Sequence, residues 1–427
     1  MKALRTLIGL GAIGVLIGWA LPQPVQAGSV ADFYKGKTIT IYIGYSAGGG
    51  YDTYARTIGR TIGKHIPGNP KIIAKNKPGA GSLRLANELY NTLPKDGTAI
   101  ATFGRGMPME PLFGNKKAKF DASKFTWLGS ANNEVSVCIA WHESPIQTLD
   151  DFLTKPMIVG GTGPGSDTDV FPKVLNNIIG TKLILVTGYP GGNDINLATE
   201  RGEVQGRCGY SWSSLKSRFP QWLTGKKVQI LLQMSTAKHP DLPDVPFVMD
   251  LAKTDRDRKI LELVFARQAW GRPFVAPPGV PGDRAKALQA AFMATMKDAD
   301  FLKDAKQQKL EIAPISGEKI GQLIAQLFAS PKDIIQAATE ARSAMINTTK
   351  VVIPVVTVKG TITATKRGGR RISFKSEGKK LKTKVSGSRT KVFIGGKKVK
   401  RKKLKVGMKC AFTYQGSGTE SKKIDCK

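Results

Sequence analysis

The chain has 427 residues, 41% hydrophobic and 23% charged, which is too apolar for a disordered polymer and too long for one ordinary core, so two or three domains are expected. Its formal net charge of +34 is uneven: residues 350–427 hold 24 Lys and Arg against Glu377, Glu420 and Asp425, a surplus of +21 that leaves +13 for residues 1–349. Three histidines, His65, His142 and His239, and four cysteines without CxxC spacing do not make the usual zinc patterns.

Lys2 and Arg5 precede an apolar run over residues 7–21, and Val25, Gln26 and Ala27 place small residues where a signal peptidase reads. This is the pattern of an export signal cleaved after Ala27, with an uncleaved anchor as the alternative. The 15 apolar residues are short for a membrane span and no later stretch is longer, so a soluble periplasmic mature protein is expected.

In residues 38–43, Ile39, Ile41 and Ile43 alternate with Thr40 and Tyr42, a strand pattern. Ser46, Ala47, Gly48, Gly49 and Gly50 follow as a loop, and Tyr51, Tyr54, Ala55, Ile58 and Ile62 then recur at helical spacing. A strand that meets a helix through glycines points free backbone N–H groups into the space above the loop, which suits a carboxylate or phosphate. The same device is also a plain connection in many folds. It recurs after residues 71–77 as Pro78, Gly79, Ala80, Gly81 and Ser82, and after a strand over 98–103 as Gly104, Arg105 and Gly106. Such βαβ spacing implies a largely parallel sheet covered by helices.

A second set begins with strands over residues 135–141 and 157–159, the latter running into a glycine loop with Thr162, Gly165, Ser166 and Thr168. A strand over 183–186 leads to Tyr189, Pro190, Gly191, Gly192, Asn193 and Asp194, and another over 204–209 contains Arg207 and Cys208. A strand over 226–234, a proline-punctuated segment over 239–246 and helices over 258–265, 320–328 and 332–344 complete the body. The expected division is an α/β lobe I of residues 28–125 and 250–349 and an α/β lobe II of residues 126–249.

From residue 351 the texture changes to short β-branched runs at 355–358, 361–365, 371–374, 381–385, 391–394 and 410–414. Gly360 separates the first two, which also read as one bent strand. Residues 350–427 are therefore expected to form a small, basic, all-β barrel of five strands. Cys410 and Cys426 lie in this segment and are the better disulfide pair; Cys138 and Cys208 can pair only if their strands are neighbours.

Seven motifs in order carry a family resemblance: residues 47–56, 76–82, 94–97, 189–192, 202–204, 239–246 and 276–281. Over about residues 32–342 the chain resembles the Bug-type periplasmic receptors of tripartite tricarboxylate transporters. The resemblance implies a two-lobed Venus-flytrap fold that closes on a small ligand, commonly a carboxylate, and hands it to the membrane components of the transporter. It also implies that the three glycine loops hold the ligand. The sequence departs from the family pattern at Tyr45, Ser46 and Ala47, where a proline-rich turn is usual, and at residues 207–212. The resemblance does not reach residues 350–427.

Ser46, Ala47, Gly48, Gly49 and Gly50 would then supply donors to one end of the ligand, and Thr162, Gly165, Ser166 and Thr168 to the other. Asp52 either joins the site or stabilises the first helical turn. Arg105 and Arg207 are the cations to test against a carboxylate, with a surface ion pair as the bland reading of each. Tyr189, Asn193, Asp194 and Trp212 contact the ligand or belong to the core. Catalysis, a cofactor or a metal is not expected, because residues 163–167 do not spell GxSxG and residues 161–166 are only a partial dinucleotide fingerprint. The tail's run of Lys and Arg over 397–403 offers an alternative function on an anionic polymer or membrane surface of the envelope. Export argues against nucleic acid, and a merely solvated face is the plain reading. Gly49→Asp, which puts bulk and negative charge into the first loop, is expected to abolish ligand binding in a calorimetric titration.

Overall fold

A computed structural model describes residues 29–343, 348–350, 355–414 and 420–427, so the export signal lies outside the described residues. The chain divides into two compact units, residues 1–185 with 189–346, and residues 186–188 with 347–427.

After α1 (Val30–Tyr34), strand β1 (Thr38–Ile43) buries Ile39, Ile41 and Ile43, which point to one face because side chains alternate along a strand. Helix α2 (Gly50–Thr61) lays Tyr54, Ala55 and Ile58 into the same core. β2 (Lys71–Asn76), α3 (Leu83–Asn91) and β3 (Ala99–Thr102) follow, and both β2 and β3 run parallel to β1. β4 (Thr126–Ser130), β10 (Pro273–Ala276) and β11 (Ile315–Ser316) complete a first sheet in the order β11-β4-β10-β3-β1-β2. β10 is antiparallel to both β3 and β4. The sheet is thus mixed rather than largely parallel, because β10 re-enters it from the second lobe, running against its neighbours.

The second lobe contains β5 (Ser136–Trp141), β6 (Pro156–Gly161), β7 (Lys182–Thr187), β8 (Gly206–Ser211) and β9 (Val228–Met234), adjacent in the order β7-β6-β8-β5-β9. Its helices are α4 (Leu149–Thr154), α5 (Asp167–Val174), α6 (Gly192–Glu200), α7 (Trp212–Arg218) and α8 (Pro220–Thr224). α9 (Asp255–Phe265), α10 (Gly282–Thr295), α11 (Ala299–Gln307), α12 (Gly317–Phe328) and α13 (Lys332–Ser343) then follow.

Two boundaries differ from the sequence division. β4 lies in the first sheet, so the chain crosses after Ser130 and not at residue 125. Residues 250–343 are shared between the lobes: β10, β11, α10 and α12 pack with the first sheet, whereas α9 and α13 pack on each other and α13 on α5. Ile334, Ala338 and Ala341 form the buried face that holds α13 there, in one apolar cluster with Phe171 and Phe265.

In the second unit, a single sheet orders Lys379–Lys384, Arg371–Ser376, Val356–Lys366, Lys409–Tyr414, Lys423–Cys426, Lys391–Ile394 and Lys397–Lys398, seven strands where five were expected. The missed ones are short: Lys397–Lys398 has no apolar residue, and Lys423–Cys426 alternates Ile424 and Cys426 with charged residues over only four positions. The runs on either side of Gly360 are one strand; a Cβ there would sit 2.7 Å from the Phe374 ring and from the Lys375 carbonyl. The Ser421 N–H donates to the Lys384 carbonyl at 2.9 Å and so draws a sheet edge round towards closure. Phe374 and Phe412 stack at 3.8 Å in the core, with Cys410 opposite Cys426 in register and disulfide-bonded. No helix among the described residues is long and apolar enough to cross a membrane.

β5 and β8 are paired neighbours, which meets the condition set for Cys138 and Cys208, and those two are also disulfide-bonded. The bridge closes a 70-residue separation. Replacing both cysteines by alanine should cost about 2–4 kcal/mol, read as a lower urea midpoint under non-reducing conditions.

Candidate functional site

The glycine loops converge on a cleft between the two lobes of the first unit. It has about 60 Å³ of free space, room for roughly four to six waters. β1 delivers the first loop. There the Gly48 N–H donates to Asp52 at 2.8 Å, and Asp52 also accepts from Asn76 and Arg56. Burial alone would raise the Asp52 pKa, but the Arg56, Gly48 and Asn76 hydrogen bonds hold it below the usual carboxylate range. Asp52 therefore ties the loop to its helix and does not line the cleft.

The rim is closed by contacts from lobe to lobe. Ser46 Oγ donates to Asp194 at 2.7 Å and its N–H to the Pro190 carbonyl at 3.2 Å. Asn193 reaches the Ala47 carbonyl, Arg218 donates to the Gly48 carbonyl at 3.1 Å, and the Gly81 N–H donates to the Thr162 carbonyl at 3.0 Å. Such close approach needs glycine: a Cβ on Gly50 would sit 2.0 Å from Ser214 Oγ, and one on Gly191 would sit 2.2 Å from Ser46 Oγ. A Cβ on Gly49 would meet nothing within 4 Å, so this position faces open space.

On the opposite wall, Thr162, Ser166 and Thr168 line the cleft at the start of α5. Thr168 Oγ1 accepts from the Thr162 N–H at 3.0 Å and lies 3.1 Å from the hydroxyls of both Thr162 and Ser166. Gly165 turns the other way, its carbonyl accepting from Arg267. Tyr189 is buried away from the cleft, and Trp212 points into a separate apolar cluster with Trp222, its indole donating to Asp241 at 3.3 Å. Of the other expected residues, Gly49, Gly50, Asn193, Arg105 and Arg207 line the space; Ser46, Ala47, Gly48 and Asp194 do not.

The cations differ in their state. Arg105, almost wholly buried, donates from Nε to Asp167 at 2.6 Å and from its terminal nitrogens to Ser211, Ser136 and the Gly271 carbonyl. Burial opposes its charge, but Asp167 and Glu134 outweigh that and raise its pKa. Arg105 is thus an internal ion-pair partner rather than a waiting ligand group. Arg207 has no carboxylate within salt-bridge distance among the described residues. It donates weakly to the Gly192 carbonyl and Asn196 at 3.3 Å, stacks over Tyr210 at 4.1 Å, and keeps a buried Nε without a partner. Burial pulls its pKa down to about 10, and Arg272 and Arg105 act in the same direction.

Sequence reading does not single out Arg272, Arg218 or Ser214, which also line the cleft. Ser214 and Arg218 sit one turn apart on α7 directly after β8, the strand-to-helix position of every other loop here, and that signal was available. Arg272, which donates to Ser214 at 2.7 Å and pairs with Glu134 at 3.1 Å, comes from the crossing segment before β10 and had no local sign. With one acid, Asp167, against four arginines, the cleft wall is cationic. Because Arg105 and Asp167 lie on different lobes, Asp167→Asn should cost the closed form about 3–5 kcal/mol. Small-angle scattering of the variant should give a larger radius of gyration than the native chain.

The profile of the family described as "Tripartite tricarboxylate transporter family receptor" matches residues 55–340. A UPF0065 protein in the gbd 5' region of Cupriavidus necator is 24% identical over 340 residues, 77% of this chain and 94% of that protein. Among solved structures, the periplasmic binding protein BugD is 19% identical with a TM-score of 0.59, covering 72% of this chain and 98% of its own. MatC from Rhodopseudomonas palustris, solved with bound malate, is 19% identical with a TM-score of 0.57, covering 70% and 99%. These likenesses establish the two-lobed fold, and with the family profile spanning most of both lobes, the chain belongs to the receptor family of the tripartite tricarboxylate transporters.

Proposed function

We propose that the chain captures a small organic carboxylate between its lobes and presents the closed form to the membrane components of its transporter. The observation that carries this is Arg207, a half-buried guanidinium at the cleft wall whose buried Nε has no hydrogen-bond partner and which makes no salt bridge among the described residues. Burying a lone charge is costly, and a carboxylate beside Arg207 would remove that cost through a charge-assisted hydrogen bond. The hydroxyls of Thr162 and Thr168 offer further donors to the same ligand, while that of Ser166 donates to the Gly163 carbonyl at 2.7 Å. MatC's malate and the adipate of another R. palustris structure, 14% identical with a TM-score of 0.56, fit this class of solute.

Capture would work by population shift: a ligand that touches both walls favours the closed lobes over the open ones. Cleavage after Ala27 would release the receptor into the periplasm. The lobes would part at two crossings, after β4 and between β9 and β10. The basic second unit would give the receptor a contact of its own with an anionic component of the envelope.

A thermal-shift screen of the full chain against small mono-, di- and tricarboxylates tests the reading, since a ligand bound only to the folded state raises its melting temperature. At least one carboxylate should do so, and Arg207→Gln should then lower its affinity about 10–100-fold without lowering the melting temperature of the free protein. No response to any carboxylate, or native affinity in the variant, would overturn the proposal.

A further inference from the structure

The second unit carries a groove of about 790 Å³ between the turn at Arg367 and Arg370, the loop over residues 386–391 and the segment over residues 398–402. Eight cationic side chains line it, with no acid and no aromatic ring among the lining residues. Arg389 is neutralised by Glu420, at 3.0 Å from Nε and 2.7 Å from a terminal nitrogen. The other seven make no salt bridge among the described residues. Like charges gathered on the walls of one concavity repel each other, so the groove is held at an electrostatic cost that an anion would relieve.

Its floor is built around Arg401. The Nε of Arg401 is buried without a hydrogen-bond partner. Two glycines make room for this residue: a Cβ on Gly387 would sit 2.2 Å from an Arg401 terminal nitrogen, and one on Gly369 would sit 2.5 Å from its carbonyl. Gly369 also has a φ of +77°, which a side chain would strain. A guanidinium fixed at the bottom of a cationic trough matches a phosphate with two parallel donors.

We infer that this groove seats one strand of a linear polymer carrying repeated phosphate groups, recognised by charge. Concavity favours a strand over a membrane, which a flat basic face with protruding apolar side chains would suit better. The absence of aromatic rings from the lining removes the stacking platforms that single-stranded nucleic acid uses. This deepens the envelope contact proposed above and does not involve the solute cleft, so failure of carboxylate binding leaves it standing.

The test is calorimetric titration of the full chain with long-chain inorganic polyphosphate across a salt series. Binding should weaken with salt, with a slope of about −3 to −4 if roughly five charges are neutralised. Orthophosphate at equal phosphate concentration should not compete. The double variant Arg370→Gln, Arg401→Gln should lose at least tenfold in affinity, and so should Arg367→Gln with Lys402→Gln, which spares the floor and guards against misfolding of the first pair. Lys379→Gln with Lys380→Gln removes equal charge from an edge strand outside the groove and should stay within threefold of the native chain. Equal losses in the groove and edge variants, binding to phosphatidylglycerol vesicles without binding to polyphosphate, or a tenfold preference for single-stranded DNA would each overturn the inference.

Discussion

The Arg105–Asp167 ion pair joins the lobes at the base of the cleft, and most of the site's geometry depends on it. Asp167 opens α5 on one lobe and Arg105 ends the β3 connection on the other, so their 2.6 Å contact fixes how closely the walls approach. Buried charges survive only when paired and hydrogen-bonded. Here Ser136, Ser211 and the Gly271 carbonyl satisfy the rest of the Arg105 guanidinium, while Arg267 supports Asp167 from behind at 3.5 Å. A second pair, Arg272 with Glu134, is held by Ser213 and Ser214 just after β8. With those charges engaged inside the protein, Arg207 is left as the half-buried cleft arginine without a salt bridge among the described residues, whereas Arg218, also without one, is exposed.

The glycine loops serve this arrangement in two ways. Some expose backbone to the cleft, as Gly49 does. Others let the lobes touch: Gly50 leaves space for Ser214, Gly191 for Ser46, and Gly192 for the Arg207 guanidinium, which a Cβ would approach to 2.7 Å. On the rim, Lys216 on α7 pairs with Asp241 of its own lobe and with Glu311 of the other. Its ammonium thus occupies the space between two carboxylates that, with His239, are close enough together to suit a cation.

The second unit follows a different physical logic. Its core is small and built from Ile362, Ile372, Phe374, Val392, Phe412 and Ile424, and domains of this size commonly rely on a disulfide for stability. Cys410–Cys426 supplies one between two adjacent strands. Most of the residues outside that core are Lys, Arg, Gly, Ser or Thr, so the surface is a field of positive charge, indented by the groove around Arg401.

Periodicity and turn chemistry determined a good deal without any tertiary information. Ile39, Ile41 and Ile43 announced β1, the glycine runs announced the strand-to-helix corners after β1, β6 and β7, and the change of texture near residue 351 announced the all-β unit, because each of these signals is local in the chain. Asp52 was legible as a helix-start carboxylate for the same reason. Tertiary structure alone decided which cations are free. Arg105 and Arg207 look alike in the sequence, each beside glycine near the end of a strand, yet one faces Asp167 from 62 residues away and the other makes no salt bridge among the described residues. Trp212 went to the core and Arg272 came to the cleft through crossings between the lobes. Charge pairing across a cleft depends on distances between residues far apart in the chain, which no local pattern encodes.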